Sequence, residues 1–118
     1  EMCIRDRITR GLAETARLAS QLGAESHTIS GLAGMGDLVL SCSGPHSRNM
    51  AFGFALGSGK PLPTSLAEGR FSASILKARS KYESIELPIC FAVDDIVNGD
   101  VDIHTRISAL LSRQAGQE

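Results

Sequence analysis

An excess of charge of either sign is what this sequence most plainly lacks: 12 Lys and Arg stand against 13 Asp and Glu, a formal net charge of -1 over 118 residues. Duplex nucleic acid and acidic lipid both demand a basic face, so neither is an expected partner. Cysteine is scarce and badly placed for cross-linking. Cys3, Cys42 and Cys90 are odd in number, far apart and form no CxxC pair, which removes support for a disulfide framework or a zinc site. They read as reduced thiols of a cytoplasmic protein. His27, His46 and His104 are scattered without a ligand-type partner at helical spacing, so no metal is expected. Long apolar runs are missing too: none approaches the roughly 18 residues of a membrane span. No charged-then-apolar leader with a small-residue cleavage site stands at the start. A soluble cytoplasmic domain is the expectation.

What is present is a globular balance, 42% hydrophobic and 21% charged, in a length that suits one domain. Residues 8 to 22 place Leu12, Ala16 and Ala19 at helical spacing among Thr9, Arg10, Glu14, Arg17 and Gln21, with Gly23 as a stop, which predicts an amphipathic helix. A short helix is expected around 26 to 32, followed by Gly31, Gly34 and Gly36, whose missing side chains suit close approaches and tight turns. Asp37 can then cap a helix over 38 to 42, and Ser47, just past Gly44-Pro45, can cap another that runs to about Leu56 with Phe52, Ala55 and Leu56 inward. Residues 57 to 69 are dense in Gly, Pro and Ser and predict an irregular loop. Beyond it the pattern predicts a helix over 72 to 84. Another starts at Pro88, with Ile89, Ala92, Val93, Ile96 and Val97 on one face, and ends at Gly99. A last one is capped by Asp102 and carries Ile103, Ile107, Leu110 and Leu111. Leu38 to Leu40 could be a three-residue strand, but no segment requires one, and the expected fold class is all-α, a helical bundle.

The chemistry is expected in 36 to 49, Gly-Asp-Leu-Val-Leu-Ser-Cys-Ser-Gly-Pro-His-Ser-Arg-Asn, where an acidic group and an Arg-Asn pair flank a turn. Arg48 and Asn49 fall in the first turn of a predicted helix, where free N–H groups and the helix dipole favour an anion and a guanidinium adds a bidentate clamp. Asp37 reads equally as a plain helix cap, and Arg48 as a solvated neighbour of a capping Ser47. Gly31-Leu-Ala-Gly-Met-Gly36 does not read as a dinucleotide fingerprint, because a helical segment rather than a strand precedes it. Nor do Ser41, Ser43 and Ser47 sit in a nucleophile-elbow motif. The residues by themselves point to an anion-binding helical domain.

Ile-Thr-Arg-Gly-Leu-Ala-Glu (8 to 14), Gly-Leu-Ala-Gly-Met-Gly-Asp-Leu-Val-Leu-Ser-Cys (31 to 42) and Ser-Arg-Asn (47 to 49) resemble the C-terminal domain of bacterial NAD(P)-dependent glycerol-3-phosphate dehydrogenases. Glu68-Gly-Arg-Phe-Ser-Ala73 is similar to the family's Glu-Gly-x-x-Thr-Ala, and Glu86-Leu-Pro-Ile89 to its Glu-Met-Pro-Ile. The resemblance covers about 8 to 113. It implies the helical substrate domain of a 6-phosphogluconate-dehydrogenase-like two-domain enzyme. That enzyme interconverts dihydroxyacetone phosphate and sn-glycerol 3-phosphate with NAD(P)H, for glycerophospholipid synthesis. Carried over by position, Asp37 would contact substrate hydroxyls with Ser41 beside it, and Ser47, Arg48 and Asn49 would hold the phosphate. Arg48, Leu66 and Glu68 would approach the cofactor.

The pattern departs from the family in four places. Nothing here corresponds to the N-terminal Rossmann domain that binds most of NAD(P)H. The lysine that acts as general acid and base lies in the family upstream of the Ile-Thr-Arg-Gly helix, so no catalytic residue is expected in this chain, and by itself it is expected to be inactive. The connection from Lys60 to Glu68 is shorter than usual. Residues 1 to 7 do not continue the family's pattern and are expected to be a non-native or irregular leader, 8 to 113 the helical domain, and 114 to 118 a polar tail. The implied partners are the triose substrate, the chain's own Rossmann domain and a second copy in a homodimer. The competing reading is a freestanding helical binding or dimerisation module without catalysis.

Overall fold

A computed structural model gives the fold; residues 4–113 are those it describes, so the expected polar tail lies outside the described residues. Among the described residues seven α-helices and one π-helical turn follow each other in the order α1 (Ile4–Gln21), α2 (Ser26–Ser30), the π-turn (Leu32–Gly36), α3 (Asp37–Cys42), α4 (Arg48–Gly57), α5 (Gly69–Glu83), α6 (Pro88–Val97) and α7 (Ile103–Leu111). No strand occurs among the described residues, and the apolar stretch Leu38 to Leu40 is helical. The fold class is therefore all-α, as the helical periods require.

Several boundaries move. α1 runs back through Ile4 to Arg7, so those four residues are helical and not irregular. α5 begins at Gly69, three residues ahead of the expected Ser72, and the irregular connection shrinks to residues between Gly57 and Gly69. Asp37 does not cap α3. Its own backbone is helical (φ -66°, ψ -40°), and its side chain accepts no capping bond, because the π-turn feeds α3 directly and supplies the preceding carbonyls. Ser47 and Asp102 do cap: Ser47 Oγ accepts from Met50 N–H at 3.0 Å and Asp102 Oδ2 from Thr105 N–H at 3.1 Å. Pro88 occupies the first turn of α6, where its missing N–H costs nothing.

The π-turn exists because of a glycine. A Cβ at Gly34 would lie 2.0 Å from the Ile29 carbonyl oxygen, a distance no side chain tolerates, so only glycine lets this turn wind over the end of α2. Gly36 N–H donates to Gly31 O at 3.2 Å, the wide i to i+5 spacing of π geometry.

α1 packs against α2, α3 and α6, and α5 and α7 pack against α6. The amphipathic reading of α1 places its apolar face correctly but misses where burial is deepest, since Arg10 and Glu14 are each only 5% exposed. Arg10 donates to the carbonyls of Leu110 (3.5 Å) and Arg113 (2.8 Å) at the end of α7. Glu14 Oε2 and Oε1 accept from Ile89 N–H (2.7 Å) and Cys90 N–H (2.8 Å) at the start of α6. A cation at a helix C-terminus and an anion at an N-terminus both match the helix dipole. α1 is thus a spacer whose charged stripe closes the ends of two other helices.

A second polar cluster joins α5, α6 and α7. Asp94, nearly buried, accepts from Ser74 Oγ, from Lys77 Nζ at 2.9 Å and from Asn98 Nδ2 at 2.9 Å, while Asp95 pairs with Lys77 and Arg106. These partners hold the Asp94 carboxyl below its ordinary range and raise the Lys77 ammonium above its own. Among the described residues the buried apolar side chains are small in comparison: Ala55, Ala67, Ala73 and Ala92, with Leu87 the one large member. An apolar groove of about 500 Å³ is left open between α4, α5, α6 and α7, with Phe52, Leu56, Leu76, Val93, Ile96 and Ile107 on its walls.

Candidate functional site

A separate, polar cleft of about 360 Å³ is lined by Asp37, Leu40, Ser41, His46, Ser47, Arg48, Asn49, Leu66 and Glu68. Every residue that the sequence singled out is in that set. Three elements bring them together. The π-turn sets the rotation at which α3 begins and so places Asp37, and Ser41 follows one helical turn later. At Gly44-Pro45-His46 the chain reverses, with His46 N–H donating to Gly44 O at 2.8 Å, a three-residue turn centred on proline. α4 then starts at the cleft, with Arg48 and Asn49 in its first turn behind the Ser47 cap.

Asp37, Arg48 and Glu68 are exposed, and none has a side-chain hydrogen bond or ion pair among the described residues. This contrasts with the buried Arg10 and Glu14, whose charges are satisfied inside the protein. A carboxylate, a guanidinium and a second carboxylate are thus left uncommitted around one concavity. The cationic end coincides with the α4 N-terminus, where orphan N–H groups add positive potential. Asp37, one helical element away, offers only acceptors. The arrangement suits a small molecule with an anionic end and hydroxyl donors along its body.

Asn49 Oδ1 accepts from Gly69 N–H at 3.0 Å and so closes the start of α5, whose Glu68 cap position provides no side-chain bond of its own. Arg70 continues the link between α4 and α5: its guanidinium lies 4.5 Å from the Phe71 ring centroid and 5.5 Å from that of Phe52, within the range of a cation–π contact. Glu68 and Leu66, brought alongside by the irregular connection, complete the opposite rim.

Leu40 and His46 escaped the sequence reading. Leu40 lies three positions after Asp37 and so shares its helix face, a signal that was available. His46 shows no pattern in the sequence that ties it to the cleft. In the structure its ring folds over the turn, so that a Cβ at Gly44 would come within 3.0 Å of Nε2. No cluster of three or more His, Cys, Asp or Glu that could hold a metal occurs among the described residues. Cys42 and Cys90 are free. Burial, reinforced by the Glu14 carboxylate, pushes the Cys90 thiol up to about 12, which leaves it a poor nucleophile.

With the geometry in view, comparison with known proteins assigns the chain. A family model, the NAD-dependent glycerol-3-phosphate dehydrogenase C-terminus, matches residues 6–108. The chain belongs to that family. A glycerol-3-phosphate dehydrogenase (NAD(P)+) of Caulobacter vibrioides is 49% identical over 112 residues, covering 90% of this chain and 34% of the relative. The corresponding protein of Bradyrhizobium sp. strain ORS 278 is 48% identical over 106 residues, covering 89% of this chain and 32% of the relative. Among solved structures, the glycerol-3-phosphate dehydrogenase of Coxiella burnetii superposes with a TM-score of 0.82 at 39% identity, over 90% of this chain and 34% of that one. The chain thus spans about a third of the length of the dehydrogenases that it matches. Among the described residues no helix is long and apolar enough to cross a membrane.

Proposed function

We propose that this chain is the substrate-holding part of a cytoplasmic NAD(P)-dependent glycerol-3-phosphate dehydrogenase, serving the interconversion of dihydroxyacetone phosphate and sn-glycerol 3-phosphate. One observation carries the reading: residues dispersed from Asp37 to Glu68 surround a single cleft whose charges are not spent on the fold. In that cleft Arg48, Asn49 and the α4 N-terminus bind the phosphate, and Asp37 accepts from a substrate hydroxyl with Ser41 beside it. Fixing the two ends of a three-carbon substrate sets the position of the carbon between them, which is how binding becomes catalysis by orientation. Ser47 holds the first turn of α4 in place through its capping bond and thereby aims Arg48.

The nicotinamide cofactor, when bound, supplies the hydride. Leu66 and Glu68 fit its edge: Leu66 is half exposed on the rim and offers an apolar surface, and the unpartnered Glu68 offers acceptors. No proton donor is assigned within the cleft, and the 118 residues alone are expected to bind substrate without turning it over. The open apolar groove and exposed side chains such as Leu32 and Ile75 support a body that is covered by further protein.

Titration calorimetry with sn-glycerol 3-phosphate tests the binding claim. Weak binding by the wild-type chain that Arg48→Ala abolishes is expected, and since Arg48 is exposed, folding should be unaffected. Wild-type protein that releases no heat over millimolar ligand overturns the reading. Oxidation of NADH with dihydroxyacetone phosphate by the purified chain would refute the expectation that it is inactive alone.

A further inference from the structure

Gly69 is required for space and not for backbone freedom. It is the first residue of α5, and among the described residues the glycines with positive φ are Gly23, Gly59 and Gly99. The backbone at 69 therefore accepts any L residue, and alanine would favour the helix. What a side chain would disturb is Asn49: a Cβ there would lie 2.9 Å from Asn49 Oδ1 and 3.0 Å from Asn49 Cγ. That closeness accompanies the 3.0 Å bond from Gly69 N–H to Asn49 Oδ1.

The bond fixes which way round the Asn49 amide sits. An amide has an acceptor end and a donor end. With Oδ1 taken by an N–H, the Nδ2 pair is what remains, and it has no hydrogen-bond partner among the described residues. Asn49 lines the cleft between Arg48 and Glu68. The anion end of the cleft then presents guanidinium and amide donors and no side-chain acceptor from Asn49, which an anion would repel.

We propose that Gly69 is a positioning residue for the phosphate end: by leaving room for the Asn49 side chain and donating to its Oδ1, it turns the Asn49 Nδ2 donors toward the bound anion. The inference rests on the substrate reading given above and adds a residue to it. It also ties the two rims of the cleft together, because Gly69 follows Glu68 directly. A shift of the α5 start would move the Glu68 carboxylate and the Asn49 amide at once.

Three variants test this by calorimetry with sn-glycerol 3-phosphate, by ¹⁵N spectra of the side-chain amides and by hydrogen exchange at Gly69 N–H. In Gly69→Ala the added methyl displaces the flexible Asn49 amide. Ligand affinity should fall about ten-fold or more, while the melting temperature stays equal or rises, since alanine is the better helix former. In Asn49→Asp the acceptor remains and the donors go, so Gly69 N–H should stay protected from hydrogen exchange while ligand affinity is lost. In wild-type protein the Asn49 Nδ2 resonance should shift on ligand addition. Unchanged affinity in Gly69→Ala overturns the proposal, as does a Gly69 N–H that exchanges at the same rate in wild-type and Asn49→Ala protein. Wild-type protein that does not bind at all sinks the substrate reading instead. The exchange comparison then still decides whether Gly69 holds Asn49.

Discussion

Replacing Glu14 by alanine should be among the most damaging single changes on α1, although the residue is charged and lies far from the cleft. The first N–H groups of a helix have no partner within it. In α6, Pro88 has no N–H, Phe91 N–H reaches Leu87 O at 3.0 Å, and Ile89 and Cys90 both depend on the Glu14 carboxylate at 2.7 and 2.8 Å. Hydrogen bonds to charged groups contribute about 1.5–3 kcal/mol each. Alanine removes both and leaves two donors beneath a small cavity that water can partly fill, so the lower end of the sum applies, about 3 kcal/mol. For a domain of this size that corresponds to a fall in melting temperature of roughly 12 °C. Calorimetric or circular-dichroism melting measures it. Glu14→Gln keeps one acceptor and should lose about half as much. The same variants carry an internal check at Cys90, whose thiol is held up first by burial and then by the Glu14 charge: with that charge gone the thiol pKa drops, and alkylation at alkaline pH accelerates. A Glu14→Ala protein that melts within about 4 °C of wild type, with Cys90 reactivity unchanged, would refute the capping account.

Gly34→Ala forces a methyl against backbone 2.0 Å away and should cost about 3 kcal/mol, read from urea unfolding. Because the π-turn orients Asp37, any folded fraction should also bind glycerol 3-phosphate more weakly. Asp94 governs acid stability. Its folded pKa lies below the unfolded value, so its contribution is present above the unfolded carboxylate range and is lost as pH falls through the folded pKa. Melting curves of Asp94→Asn should therefore be lower at neutral pH and flatter than wild type through the acid range. Parallel pH profiles for the two proteins would contradict this assignment.

Much of the fold is legible in local patterns. The Ser47 and Asp102 caps, proline in the first turn of α6 and the glycine stops act through neighbouring residues, so their spacing suffices to place them. The differences arise where packing overrides the local pattern. Arg10 and Glu14 look like solvent-facing charges because the carbonyls and N–H groups that bury them belong to α7 and α6, some 75 to 103 positions away. Asp37 looks like a cap because nothing in a run of glycines reveals that Gly34 packs against Ile29 and continues the backbone as a π-turn into α3. α5 starts ahead of its expected boundary because Asn49, 20 positions earlier, supplies the bond that opens it.

The sequence alone determined the all-α class, the polar cluster between Asp37 and Asn49, and the family whose motifs it shares, because helical period and residue type are carried by the chain itself. Tertiary structure decided how those residues meet. Only packing brings Glu68 and Leu66 across to Asp37 and Arg48, and only the approach of Gly69 to Asn49 chooses the end of an amide that faces the ligand. A side chain's hydrogen-bonding polarity depends on what sits on its other side, and that neighbour is supplied by the fold.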